Sequence, residues 1–164
     1  MTRHFGLALL ASLSLVACEP TGNPPGQTDA DNEVMPGTES YKEFGEYVVH
    51  FNALTTDQLD ATIAGEYGIV RSQNRVLLNI SILKREGLGL DKPVTGTVTA
   101  TAANLTGQLR NLLVREIREG DAIYYIAETQ IVNSESLIFT VNATPESTST
   151  PLTVRFQKQF FVDQ

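Results

Sequence analysis

The sequence predicts an all-β fold: an antiparallel β-sandwich of immunoglobulin-like type, with about seven strands and one short helix. Apolar and polar residues alternate in many short segments, turns rich in glycine or proline separate these segments, and only one segment has helical spacing. Short alternating strands of this kind are typical of sandwiches. A small antiparallel β-barrel is the alternative fold.

The first elements are a strand and the helix. The segment YKEFGEYVVHFNA places Tyr47, Val49 and Phe51 on one face of a strand and His50 on the other. Residues 55–58 (TTDQ) then match a capping box, and apolar residues four apart follow before two glycines. One short helix is therefore expected directly after the first strand.

The remaining strands follow from alternation and turns. Residues 76–83 alternate at period two, and residues 94–102 do so most regularly, with small apolar residues on one face and threonines on the other. Residues 109–118 and 122–132 flank a turn centred on Gly120, which predicts a hairpin. The last strands are predicted at residues 137–143 and 152–162.

The N-terminus has the three-part layout of a secretory signal. Arg3 gives a positive start, and residues 5–16 form an apolar run that ends at a small residue. This run is shorter than the ~20 apolar residues that a membrane-spanning helix needs. The tetrapeptide LVAC at residues 15–18 resembles a bacterial lipobox. That resemblance implies lipidation of Cys18 and cleavage just before it.

The chain is therefore expected to have three parts. Residues 1–17 are a lipoprotein signal peptide, residues 18–40 are the lipidated cysteine with a flexible linker rich in Pro, Gly, Asn and Asp, and residues 41–164 are the β-sandwich domain. Membrane lipid is the partner expected through Cys18. Glu19 is not the aspartate that resembles an inner-membrane retention signal, which favours the periplasmic face of the outer membrane.

Composition narrows the classes of function. The formal net charge is −7, and an acidic surface repels phosphate backbones, so nucleic acid is not an expected partner. Cys18 is the sole cysteine, which excludes an internal disulfide and a thiolate metal cluster. After removal of the signal, His50 is the sole histidine, which excludes His-rich metal sites. No metal and no cofactor are expected.

The loop RSQNR at residues 71–75 is the one concentration of polar groups that suggests a binding site. Arg71 and Arg75, with Asn74 beside them, are suited to grip a carboxylate or phosphate. The alternative is a solvated loop whose arginines pair with local acids.

His50 and two tyrosines are the other candidates for contact with a ligand or partner. His50 is able to serve as a general base, but no partner motif accompanies it, so a half-exposed strand histidine is the alternative. Tyr124 and Tyr125 are adjacent on a strand and must face opposite sides. One is expected in the core, and the other at the surface, where tyrosine suits a protein interface.

Four segments carry a resemblance to a known family: FGEYVVHFNALTT (44–56), YGIVRSQNRVLLNISIL (67–83), NLTGQ (104–108) and REIREGDAIYYIAE (115–128). They are similar to a domain-of-unknown-function family of proteobacterial periplasmic and secreted proteins. The resemblance covers most of residues 41–162 and implies a periplasmic β-domain of this size. That family has no assigned activity, so no functional residues are carried over from it.

The leading hypothesis is a membrane-tethered periplasmic lipoprotein with a non-enzymatic binding or accessory domain. Its partner would be an envelope protein, a peptide or a glycan. The alternatives are a carrier of a small apolar ligand, which needs a cavity between the sheets, and a hydrolase or transferase that uses His50.

Overall fold

The computed structural model describes residues 33–87 and 90–162, which form two antiparallel sheets packed face to face. A short 3-10 turn, Thr56–Gln58, and one α-helix, α1 (Ala61–Glu66), lie between the second and third strands. The strands, in chain order, are β1 (Tyr41–Phe44), β2 (Tyr47–Thr55), β3 (Arg75–Glu86), β4 (Leu90–Pro93), β5 (Gly96–Asn104), β6 (Leu109–Leu112), β7 (Arg115–Glu119), β8 (Ala122–Gln130), β9 (Glu135–Pro145) and β10 (Leu152–Phe160).

The two sheets have different sizes. The larger has six strands. Five of them follow the order β1-β2-β3-β8-β7, and the sixth, β4, pairs with the C-terminal end of β3. The smaller has four strands in the order β10-β9-β5-β6. Across the described residues no strand ladder joins one sheet to the other, so the sandwich prediction is confirmed and the barrel alternative is not formed.

The core between the sheets is built from the residues that alternation marks as buried. Three phenylalanines form its centre: Phe156 stacks on Phe51 and Phe139, with ring centroids 4.7 and 5.0 Å away. Phe160 meets Phe139 edge-on at 6.4 Å. The Phe51–Phe156 pair joins the six-stranded sheet to the four-stranded one, and the other two pairs lie within the smaller sheet. Aromatic pairs of this kind add to the stability gained from burial alone.

Two predicted strands are split in the structure, which is one reason why the chain has more strands than expected. Gly45 adopts a left-handed φ of 61° and turns the first segment into the β1–β2 hairpin. Residues 109–118 divide between β6 in the smaller sheet and β7 in the larger one. Leu113 lies where the chain crosses from one sheet to the other and is 89% exposed. The run of apolar residues at this point is therefore not part of one continuous buried strand.

The helix begins later than the capping box predicts. Thr55 is the buried last residue of β2, and its side chain makes no capping hydrogen bond. The hydroxyl of Thr56 instead accepts a hydrogen bond from the amide of Ser72 at 2.9 Å. Asp60 caps α1 by accepting from the amide of Thr62 at 2.7 Å. Pairing within the sheet therefore overrides the local signal at residues 55–58.

Residues that precede β1 are attached to the smaller sheet. The amide of Met35 donates to the carbonyl of Arg155 at 2.8 Å, and the amide of Gln157 donates to the carbonyl of Met35 at 3.1 Å. Gly37 lies so close to β10 that a Cβ there would sit 2.4 Å from the carbonyl oxygen of Gln157. The end of the segment assigned to the linker is thus docked on β10.

The predicted signal peptide, Cys18 and the first part of the predicted linker lie outside the described residues. Within residues 33–87 and 90–162, no helix has the length and apolar character needed to cross a membrane.

A buried tyrosine links the two sheets by a polar contact. Tyr125, on the inner face of β8, is 4% exposed. Its hydroxyl oxygen accepts a hydrogen bond from the amide of Gly96, the first residue of β5, at 2.9 Å. Burial raises the pKa of Tyr125 above its ordinary value, so the hydroxyl stays neutral at physiological pH.

Replacing Tyr125 by phenylalanine is expected to destabilise the fold by about 1–2 kcal/mol, because the amide of Gly96 loses its partner. Urea unfolding measures this change. Tyr124→Phe is the matched control, since within the described residues the hydroxyl of Tyr124 has no hydrogen-bond partner. Equal stabilities of the two variants would contradict this role of Tyr125.

Candidate functional site

A shallow groove runs along the outer face of the six-stranded sheet, beside α1, and is called the outer groove here. Its volume is about 200 Å³. Its walls are mainly apolar and aromatic, and polar groups occur at its floor and one rim. Residues that line it include Leu59, Ile63, Tyr67, Asn79, Glu119 and Tyr124.

The outer groove exists because α1 is too short to cover this face of the sheet. Ala64 is 2% exposed and packs against Leu77 and Ile126, where its small side chain lets the helix approach the strands closely. The chain then turns at Gly68, whose φ of 63° suits glycine. The helix ends after six residues, and the strip of sheet beyond it stays uncovered.

The floor of the groove contains a buried polar atom without a partner. Asn79 lies on β3 between Asn52 of β2 and Ile126 of β8. Its Oδ1 is buried and accepts no hydrogen bond from any described residue. Most buried acceptors in folded proteins are paired, and leaving one unpaired costs about 1–3 kcal/mol. This oxygen has almost no accessible surface, so a donor from a bound molecule reaches it only after the side-chain amide of Asn79 rotates about χ2.

A carboxylate marks one rim of the groove. The hydroxyl of Tyr67 donates a hydrogen bond to Oε2 of Glu119 at 2.8 Å. This hydrogen bond, together with burial and the nearby charges of Glu119 and Glu66, raises the pKa of Tyr67. Arg115 donates to the backbone carbonyl of Tyr67 and so fixes the residue from the other side.

His50 lies on the same outer face, on the other side of Asn79. Its side chain is half-buried, and its ring centroid is 5.7 Å from that of Tyr41. A shallow depression beside it is lined by Asn52, Asn79 and Ser81. Asn79 thus borders both this polar depression and the outer groove.

The residues predicted as an anion-binding loop bind separate local partners. Arg71 donates to the backbone carbonyl of Asp57 at 2.6 Å, and Arg75 forms an ion pair with Glu128 at 3.2 Å. Asn74 is exposed between them. Anion binding by this loop stays a prediction.

The two adjacent tyrosines face opposite sides, as predicted. Tyr125 points into the core, whereas Tyr124 is half-buried and lines the outer groove. Sequence reasoning missed Asn79 and the Tyr67–Glu119 pair. The available signal was a lone asparagine at an alternate position of the apolar strand RVLLNISIL.

In the part of the chain that the structure describes, no group of three or more His, Cys, Asp or Glu side chains is arranged to hold a metal ion.

The Asp60 cap should hold the helical wall of the groove in place. Asp60→Ala is expected to speed amide hydrogen exchange at Thr62–Ala64, because the amide of Thr62 loses its acceptor, whereas Asp60→Asn keeps a side-chain oxygen and should preserve protection. Unchanged exchange in the alanine variant would contradict the cap.

The same cap should depend on pH. Hydrogen bonds from the backbone amide and the side chain of Thr62 lower the pKa of Asp60 below 3.8. Its stabilisation is therefore complete above that value and is lost as the pH falls through the lower folded-state pKa. After correction for intrinsic rates, acid should weaken protection in the wild type but not in Asp60→Asn.

Several solved structures are similar to this chain. A crystal structure of a DUF4426 family protein from Pseudomonas aeruginosa PAO1 is 31% identical, with a TM-score of 0.65, over 76% of this chain and 95% of that one. FetP from uropathogenic Escherichia coli strain F11, expressed recombinantly in the periplasm of E. coli, is 18% identical, with a TM-score of 0.53, over 76% of this chain and 94% of that one.

A copper-bound variant of FetP is also similar, at 18% identity and a TM-score of 0.54, over 73% of this chain and 93% of that one. At this identity the likeness to FetP shows the fold alone. No protein with curated annotation matches the chain. The sequence profile described as "Domain of unknown function (DUF4426)" matches residues 41–163, three quarters of the chain. This chain therefore belongs to the DUF4426 family.

Proposed function

We propose that this chain is a lipid-anchored protein of the bacterial envelope whose sandwich domain binds a partner through the outer groove and catalyses no reaction. The observation that carries the proposal is the uncovered, mainly apolar groove whose lining includes Asn79, a side chain with an unpaired oxygen. Rotation of the Asn79 amide about χ2 would pair this oxygen with a donor of a bound group and recover part of the cost of leaving it unpaired.

The size of the groove favours one type of occupant. Pockets for drug-sized ligands measure about 300–1,000 Å³ and bury most of the ligand surface. The outer groove, at about 200 Å³, is smaller and open to solvent. It fits a single side chain or a small group of a larger partner, which supports an accessory or binding domain over a carrier of whole apolar molecules.

The lipobox-like tetrapeptide LVAC supports anchoring through Cys18, on the periplasmic face of the outer membrane. Expression of FetP, which has the same fold, in the periplasm is in keeping with this location. Because Met35 is docked on β10, the chain from Cys18 to Met35 spans at most about 55 Å. The domain would therefore act close to the membrane surface.

The docked segment also leaves the groove accessible. Met35 binds the edge of the four-stranded sheet, whereas the outer groove lies on the outer face of the other sheet. The described residues of this segment therefore leave the proposed binding surface uncovered.

Anchoring is tested by Cys18→Ala. The variant is expected to incorporate no radiolabelled palmitate and to leave the detergent phase on phase separation, because the alanine side chain has no thiol to acylate. Asn79→Leu is the control and should be lipidated normally. A Cys18→Ala protein that still carries lipid would refute the anchor.

Binding is tested with N-phenyl-1-naphthylamine, a neutral apolar probe that has one N–H donor. Saturable fluorescence enhancement is expected with the wild type, and Asn79→Leu should weaken it about 5- to 30-fold through loss of one hydrogen bond. Asn52→Leu, an exposed site in the same row of the sheet, should bind normally.

The Asn79→Leu variant has a second expected property. Because it removes an unsatisfied buried group and keeps the branched shape of the side chain, it should melt at a higher temperature than the wild type. Reduced affinity with increased stability is the signature of a residue kept for binding. Absence of saturable probe binding, or equal loss in Asn52→Leu, would reject the groove as a binding site.

A further inference from the structure

The polar groups that face the outer groove accept hydrogen bonds. Asn79 offers its unpaired Oδ1, and Glu119 offers a carboxylate. The hydroxyl hydrogen of Tyr67 is already donated to Glu119. Because Oδ1 of Asn79 and the carboxylate of Glu119 are acceptors, the groove favours a bound molecule that supplies donors.

The charge at the rim is also not neutralised within the domain. Among the described residues, Glu119 and Glu66 have no ion-pair partner. The nearest basic residues of β7 have other partners: Arg115 lies 4.0 Å from Glu128, and Arg118 binds Glu116 at 2.6 Å. The hydrogen bond to Glu119 is the main cause of the raised pKa of Tyr67, and the charges of Glu119 and Glu66 contribute to it.

The walls suit the remainder of a cationic side chain. Tyr67 and Tyr124 present aromatic rings, whose faces attract cations, and Leu59 and Ile63 provide apolar surface for an alkyl stem. Arginine is often the anchor residue of protein interfaces, and its guanidinium is able to bind a carboxylate with two parallel hydrogen bonds.

We propose that the outer groove binds an arginine or lysine side chain of a partner protein. The charged head donates hydrogen bonds to the carboxylate of Glu119, and the alkyl stem lies along Leu59 and Ile63. Oδ1 of Asn79 is a further acceptor once its side-chain amide has rotated about χ2. This inference rests on the proposed binding function of the groove, and it adds the chemical class of the occupant.

The test compares two short peptides, acetyl-Phe-Arg-amide and acetyl-Phe-citrulline-amide, which differ in charge but hardly in shape. Binding is followed by amide chemical shifts in nuclear magnetic resonance titrations, which also locate the bound peptide. The arginine peptide is expected to shift residues 63–67 and 117–126 and to bind at least fivefold more tightly than the citrulline peptide. Added salt should reduce this difference.

Two variants separate the charge from the rest of the groove. Glu119→Gln should abolish the preference for arginine but keep binding of the citrulline peptide. Asn79→Leu should weaken both peptides. Glu116→Gln is the matched control, because Glu116 lies on the same strand, outside the groove lining, and pairs with Arg118. It should retain the full preference.

The outcomes distinguish this inference from the function on which it rests. Equal affinity for the two peptides in the groove would contradict the preference for a basic side chain, but it would still support a binding site in the groove. If agmatine binds as tightly as the arginine peptide, the occupant is a free amine, and the inference that it belongs to a partner protein is rejected. Absence of groove binding by the peptides and by N-phenyl-1-naphthylamine would reject the proposed function itself.

Discussion

The central strand β3 must bury both of its faces, and much of the structure follows from this requirement. Its inner face, from Val76 to Ile82, packs on the four-stranded sheet, and its outer face contains Leu77, which is also buried. The four-stranded sheet covers only the inner face of β3. Helix α1 covers Leu77 on the other side, and it ends before reaching Asn79. The outer groove is the part of this face that the helix leaves open.

Among the described residues, Oδ1 of Asn79 and Oδ1 of Asp57 are buried side-chain oxygens without a hydrogen-bond partner. Glu135 has a side chain only 6% exposed, yet one carboxylate oxygen pairs with Arg110 and the other accepts from the amide of Val132. Both carboxylate oxygens of Glu135 thus have partners, whereas the buried amide oxygen of Asn79 has none among the described residues. The free energy of unfolding of a whole domain is about 5–15 kcal/mol. The cost of an unpaired buried acceptor, about 1–3 kcal/mol, is a substantial fraction of that free energy. Retaining such an acceptor in the middle of the central strand is consistent with selection for binding.

Alternation along β3, β5, β9 and β10 predicted the buried residues correctly. Side chains on the buried face of a strand recur at every second position, so the local sequence is enough to identify them. The same pattern cannot report where a chain changes sheets, so the crossing near Leu113 was not foreseen. Sequence reasoning selected Tyr124 and His50, which share the outer face. It missed Tyr67 and Glu119, because 52 residues separate them and only the fold brings them together.

The docking of Met35 on β10 also affects how neighbouring molecules meet. β10 is an edge strand of its sheet, and an edge strand with free backbone groups is a template for pairing with another chain. Met35 occupies the carbonyl of Arg155 and the amide of Gln157 at the middle of that edge. Molecules anchored side by side on one membrane would be crowded in two dimensions, and each would already have this edge closed by its own chain. On the proposed lipid anchor, the contact of Met35 with β10 would therefore also oppose aggregation of neighbouring molecules.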